Sequence, residues 1–211
     1  MNNSPIIVLC GFSGSGKDTL LQEIKEQTKD YEDNYLDIIS CTSRTKRINE
    51  IEGKDYFFKS YSEMQELDSK NELISKRDYL TKVNGKKEIW SYGILKENIK
   101  DNQKYVVVLD IEGLIDLKNI YGNRVISFFL DVPDEVREKR AKQRGSFCQV
   151  EWDRRLEDDK KKYSKDFITK NVDYILPEME LNDLFLNVII KSILYSKRDE
   201  MVKKLLSELK L

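Results

Sequence analysis

The sequence predicts an α/β fold, a parallel sheet wrapped by helices in three layers. Three observations carry that prediction. An apolar run at residues 6–10 leads into Gly11-Phe12-Ser13-Gly14-Ser15-Gly16-Lys17 and then into an amphipathic helix pattern. Two further near-continuous apolar runs, at 105–109 and 125–130, have the composition of strands buried on both faces. Charged helical stretches alternate with these strands, as a parallel sheet requires of its crossovers. At 211 residues the chain is long enough for one domain with a sizeable core.

Taken in order, the pattern predicts a strand at 5–10, a loop at 11–18 and a helix from about 18 to 29, with Leu20, Leu21 and Ile24 on one face. Asp37-Ile38-Ile39-Ser40 is a second strand, and residues 41–55 are a polar, basic loop. A strand signal at 55–58 precedes a helix at 62–68 with Ser62 as its N-cap. Residues 73–74 and 79–83 read as strands, and Asn84-Gly85 is a hairpin-turn signal. After the strands at 105–109 and 125–130, Pro133 opens a charged helix from Asp134 to Arg144 that Gly145 ends. A second charged helix runs from about 150 to 164, a last strand lies at 174–176, and residues 181–210 form one or two amphipathic helices. One domain over 1–211 results. Its core lies at about 1–40, 96–133 and 165–211, with an insertion at about 41–95 and a charged helical segment at about 134–164.

The spacing Gly11 to Lys17 is that of a phosphate-binding loop. Gly11, Ser13, Gly14, Ser15 and Gly16 let consecutive backbone N–H groups turn inward around an anion, Lys17 reaches the outer phosphates, and the following helix adds its positive end. These features point to a bound nucleoside triphosphate with its magnesium ion. After Lys17 stands Asp18, where a hydroxyl is usual, and Thr19 follows. Thr19 holds the metal either directly or through water. Asp18 either shares a cation with the phosphates or serves as a first-turn acid of the helix.

Composition excludes several classes. With 37 basic and 38 acidic side chains the net charge is −1, which gives no support for nucleic-acid binding. No apolar stretch suits a bilayer span and no signal peptide opens the chain. Cys10, Cys41 and Cys148 are scattered and odd in number, as expected of reduced thiols in the cytoplasm. The absence of histidine excludes a serine–histidine hydrolase but costs a phosphoryl transferase little, because such enzymes work by positioning and charge neutralisation.

A second cluster runs Ser40-Cys41-Thr42-Ser43-Arg44-Thr45-Lys46-Arg47, then Glu50, Gly53, Asp55-Tyr56-Phe57-Phe58 and later Tyr92-Gly93. Arg44 and Arg47 with Tyr56 and Tyr92 have the donors to clamp a phosphate; a solvated basic loop has the same composition. Here the chain resembles the guanylate kinases, whose pattern runs Ser-x-Thr-Thr-Arg-x-Pro-Arg-x-Gly-Glu-x-x-Gly-x-Asp-Tyr-x-Phe. The resemblance extends from the phosphate loop to about residue 176 and implies a P-loop NTPase fold with an acceptor-binding insertion at 41–95 and a lid at 134–164.

That resemblance implies ATP- and magnesium-dependent phosphoryl transfer to a nucleoside monophosphate, GMP or dGMP. The acceptor grip falls on Ser40, Arg44, Arg47, Tyr56 and Tyr92. Asp110, at a strand end, would lie near metal and acceptor, with Thr19 as the other metal ligand. The lid pattern Arg-x-x-x-Arg-Gly stands at Arg140 to Gly145, and Arg140, Arg144 and a later Arg155 join Lys17 and Arg44 in stabilising the transferred group. Taken alone, Arg137, Arg140 and Arg144 share one helix face that is as well read as solvated.

Departures cluster at the base readers. Ser75 stands where the family carries a glutamate, Ile94 where it carries Ser or Thr, and Glu112 where it carries an aspartate. Lys46 and Asn49 replace Pro and Gly in the arginine loop, and the asparagine expected after residue 176 is missing. Two other readings follow. One is a kinase of a sugar phosphate such as ribose 1,5-bisphosphate; the other is a non-catalytic interaction module. A small-molecule acceptor, a monomer or homodimer, and no nucleic-acid or membrane partner complete the expectations.

Overall fold

The computed structural model describes residues 4–29, 34–83, 86–143 and 147–177. Five parallel strands form the main sheet: β1 (Ile6–Gly11), β2 (Tyr35–Asp37), and, in the second half of the chain, Lys104–Val108, Val125–Asp131 and Tyr174–Pro177. Four strands lie between: β3 (Cys41–Thr42), β4 (Phe57–Phe58), β5 (Leu73–Val83) and β6 (Lys86–Leu95). The late strands are therefore β7, β8 and β9, and the main sheet has the order β2-β7-β1-β8-β9. β1 is central and pairs in register with β7 (Ile6 with Tyr105) and with β8 (Ile6 with Val125).

Centrality explains composition. Every residue of β1 is buried, and the run has apolar side chains on both faces. On one face Ile6, Val8 and Cys10 meet Ile111, Leu114, Leu117 and Phe129. On the other, Ile7 and Leu9 meet Leu20, Ile24, Val106 and Phe128. Helix α1 (Lys17–Thr28) covers the second face and α3 (Ile111–Tyr121) the first. At roughly 1.5–3 kcal/mol per fully buried large aliphatic or aromatic side chain, these two layers are the main source of stability.

A second sheet, β4-β3-β6-β5, occupies residues 41–95. β3 pairs with β4 in parallel and with β6 antiparallel, while β5 and β6 form a long hairpin. Its own small core is Cys41, Met64, Leu73 and Leu95, under helix α2 (Tyr61–Ser69). Helices α4 (Asp134–Gln143) and α5 (Gln149–Lys162) follow β8, and α6 (Lys165–Asn171) leads into β9.

Several expectations are corrected. The second strand is Tyr35–Asp37, not 37–40; Ile38 packs into the core from the connection that follows it. The cap of α2 is Ser60, not Ser62. Its hydroxyl accepts from the Glu63 N–H at 3.1 Å and the Glu63 carboxylate accepts from the Ser60 N–H at 2.6 Å, a complete capping box. The strands expected at 73–74 and 79–83 are one strand with an irregularity between Ile74 and Arg77, where Ser75 has φ 54°. Helices α3 and α6 were not anticipated. The Asn84-Gly85 turn, the end of the charged helix at Arg144 and Gly145, and the helices expected at 181–210 lie outside the described residues.

Candidate active site

The phosphate loop sits at the C-terminal end of the central strand. Gly11 has φ 151°, and a Cβ there would lie 2.9 Å from the Leu130 carbonyl oxygen and 2.8 Å from Ser15 Oγ, so only glycine passes from β1 into the turn. Gly16 (φ 97°) is the N-cap of α1 and supplies no side chain to the first N–H groups of the helix. Those donors remain for an anion. Ser15 Oγ is buried in the loop without a partner. Lys17 folds inward, its ammonium donating to the Gly11 and Phe12 carbonyls at 2.9 and 2.8 Å. Burial holds its pKa below the ordinary lysine value, and an arriving polyphosphate would return the favourable partner for the charge. Asp18 and Thr19 are exposed in the first turn of α1.

The arginines of α4 divide. Arg140 Nη1 donates to the Ser15 carbonyl at 3.2 Å, which places a guanidinium over the loop. Arg137, on the same helix, is 2% exposed. Its guanidinium donates to the Val132 carbonyl (3.0 Å) and the Ser13 carbonyl (2.7 Å), pairs with Asp134 (2.5 Å) and Asp159 (3.4 Å), and lies over the rings of Phe12 and Trp152. Arg137 is a buried tie between α4, α5 and the loop rather than a solvated face. Asp159, from α5, also accepts from the Ser13 N–H at 2.8 Å. Neither interaction has a local signal in the sequence. Arg155 is exposed on α5, and Arg144 lies outside the described residues.

Beside the loop is a cavity of about 750 Å³. Ser40, Tyr56, Ser75, Tyr92, Ile94 and Asp110 all line it, so it gathers most of the acceptor residues expected from sequence. Arg77, Tyr79, Trp90 and Arg154 line it too and were not anticipated. Tyr92 packs edge-on against Tyr56 (6.0 Å) and Tyr79 (5.7 Å), and burial raises the Tyr56 pKa. Arg44 is 5% exposed, lies over Tyr56, and forms a two-pronged pair with Glu50 at 3.0 and 2.6 Å. The same pair draws the Glu50 carboxyl down to about 2, with the Arg47 N–H as its second donor. The Arg47 side chain is exposed. Glu112 is largely exposed at the start of α3, with Arg77 Nε 3.4 Å from its carboxylate.

Asp110 joins the two regions. It caps α3, accepting from the Gly113 N–H at 2.8 Å, and its other oxygen lies 3.8 Å from Lys162 of α5. It follows β7, whose Val108 pairs with Leu9 of β1, so cavity and loop open at the ends of adjacent strands. Sites of this kind form at the carboxyl edge of open parallel sheets.

A family model described as guanylate kinase matches residues 3–197. The chain belongs to the guanylate kinase family. It is 31% identical over 202 residues to a guanylate kinase of Mycoplasma genitalium, covering 93% of this chain and 77% of that one. It is 27% identical over 198 residues to that of Thermotoga maritima, covering 94% and 89%. The fold matches the crystal structure of guanylate kinase from Anaplasma phagocytophilum with TM-score 0.62 at 22% identity, over 97% of this chain and 94% of that one. The guanylate kinase chain is thus a nucleotide-binding transferase of the nucleoside monophosphate kinase class, on a P-loop NTPase fold. Among the described residues no helix is long and apolar enough to cross a membrane.

Proposed function

We propose that the protein transfers the γ-phosphoryl group of ATP to the phosphate of GMP or dGMP in the cytoplasm. The observation that carries the reading is the adjacency of an uncapped phosphate loop and a tyrosine-lined cavity at the ends of paired strands β1 and β7. ATP would bind at Gly11 to Thr19 with Arg140 above it, and the acceptor would occupy the cavity. We assign residues 41–95 to acceptor binding and α4–α5 to the lid, with Arg144 and Arg155 among its cations.

Lys17 and Arg140 neutralise charge on the moving group, and Tyr56 and Tyr92 with Arg44 and Arg47 aim the acceptor phosphate. No general base is required, because a phosphate dianion is itself the nucleophile. The donors near the loop fit Mg2+: the Thr19 hydroxyl and the Asp110 carboxylate are hard oxygens. The described residues hold no cluster of three or more candidate acidic or cysteine ligands, and magnesium bound with phosphates needs only one or two carboxylates. When bound, Mg2+ would supply charge neutralisation between the phosphates.

Relatives named guanylate kinase favour this reading over a sugar-phosphate kinase or a non-catalytic module. The test is ADP release from ATP with GMP, dGMP, AMP and ribose 1,5-bisphosphate as acceptors. Acceptor-dependent ADP with GMP or dGMP is expected; ADP formed only with another acceptor, or with none, overturns the reading.

A further inference from the structure

We propose that Arg77, acting beside Glu112, is the residue that selects guanine, by donating to the O6 edge of the acceptor base. The inference rests on the proposed GMP phosphorylation and identifies how the base end of that site is read.

The starting point is the irregularity in β5. Ile74 pairs with Ile94, the register shifts, and Arg77 then pairs with Tyr92. Directly opposed residues of an antiparallel pair share a face. Arg77 therefore stands on the face of the hairpin that carries Tyr92, and both line the cavity. The two cavity residues on either side of the shift offer little to a base edge. Ser75 has one hydroxyl, and Ile94 has no polar side-chain atom.

The guanidinium of Arg77 is held in one place. Nη1 donates to the Lys76 carbonyl at 2.9 Å, Nη2 to Asp116 at 2.8 Å, and Nε lies 3.4 Å from Glu112. Glu112 and Asp116 are one turn apart on α3, so the arginine spans from the hairpin to that helix. Its side chain is still 31% exposed and contributes to the cavity wall, so it has N–H groups left to donate.

Charge decides what can bind here. One guanidinium faces Glu112, Asp116 and, among the cavity residues, Asp110. Arg154 also lines the cavity, but around Arg77 itself carboxylates outnumber the guanidinium, so its remaining N–H groups suit the edge of a neutral base. Side by side, the Arg77 donors and the Glu112 carboxylate present donor then acceptor. Guanine presents the complement, with O6 as acceptor and N1–H and the 2-amino group as donors. Adenine has an amino donor where guanine has O6, which would set N–H against N–H.

The test crosses two variants with two analogues. GMP, 6-thio-GMP (a weak acceptor at position 6) and IMP (no 2-amino group) are compared by kcat/KM in the wild type, Arg77→Met and Glu112→Gln. The wild type is expected to favour GMP over 6-thio-GMP by about tenfold, the scale of one arginine–guanine contact. Arg77→Met collapses that ratio towards one and leaves the GMP/IMP ratio unchanged; Glu112→Gln does the reverse. Arg77→Lys, which keeps a charge for Asp116 but loses the fork, also collapses the first ratio and guards against a folding defect in the methionine variant. The KM for ATP stays constant throughout. Equal loss on all three acceptors in both Arg77 variants would reduce Arg77 to a strut between hairpin and helix, and overturn the proposal while GMP phosphorylation stands. A wild type that turns over AMP and not GMP would overturn the functional reading and this inference together.

Discussion

Replacing Arg137 by methionine removes a charge from the centre of the molecule and leaves its apolar stem. The arginine is 2% exposed, and its partner Asp159 is 12% exposed at the side chain. Loss of one member of a buried pair typically costs about 3–5 kcal/mol, because the other charge stays desolvated without compensation. The exposed Asp134 adds little, since it is 49% solvent-accessible. The Val132 and Ser13 carbonyls also lose charged donors, within the same range rather than on top of it. For a chain of this length, about 3–5 kcal/mol corresponds to a fall in Tm of roughly 6–20 °C. Urea denaturation and thermal melting of Arg137→Met give the number directly. Asp159→Asn in the same background removes the stranded charge and should recover about 0.5–3 kcal/mol of the loss. A single variant destabilised by less than about 1 kcal/mol, or no recovery in the double variant, refutes the account of Arg137 as a buried tie.

Three further outcomes are expected. Lys17→Met should lower kcat by about 10²–10³-fold with the melting temperature within a few degrees of wild type, as read by ADP release and circular dichroism. Glu50 has a folded pKa of about 2 against an unfolded value near 4.3, so its stabilising contribution is present above the unfolded value and is lost as pH falls through about 2; Glu50→Gln should show a shallower acid loss of stability between roughly pH 4.5 and 2 and a raised KM for the acceptor. Burial lifts the Cys10 and Cys41 thiols to about 12 and 11, whereas Cys148 is exposed, so iodoacetamide at pH 8 should label only Cys148 in the native protein and all three cysteines in urea, as counted by mass spectrometry.

What could be read in advance followed the range of the physics involved. The phosphate loop, β1, β7 and β8 announce themselves because burial on both faces demands an unbroken apolar run. β2 escaped because it is a three-residue edge strand with Leu36 exposed, while Ile38 nearby is buried without being in a strand. Helix α3 was hidden by Gly113, a weak helix former. A Cβ there would meet Ser75 Oγ at 3.1 Å and Asp110 Oδ1 at 3.3 Å, so the glycine serves a tertiary approach that no local pattern encodes. The α2 cap is legible in the sequence as Ser60 with Glu63 three residues on, the reciprocal pair of a capping box. Of the residues in the acceptor motif, Ser40, Tyr56 and Tyr92 line the cavity, whereas Arg44 and Arg47 are not among its lining residues. Arg77, Arg154 and Asp159 gained their places through contacts between distant segments, and Arg137 was separated from Arg140 by burial that charge patterning along a helix does not reveal.

The strand order carries a consequence for synthesis of the chain. β1 leaves the ribosome first, yet its two hydrogen-bonded neighbours are β7 and β8. No native partner for residues 6–11 exists until Lys104–Val108 has been made, and the second edge stays open until Val125–Asp131 follows. Meanwhile β5 and β6, which pair with each other, can close on local contacts alone. This fully buried apolar strand therefore stays unpaired while residues 12–103 are made, and its exposure in that interval offers the kind of surface that holding chaperones cover.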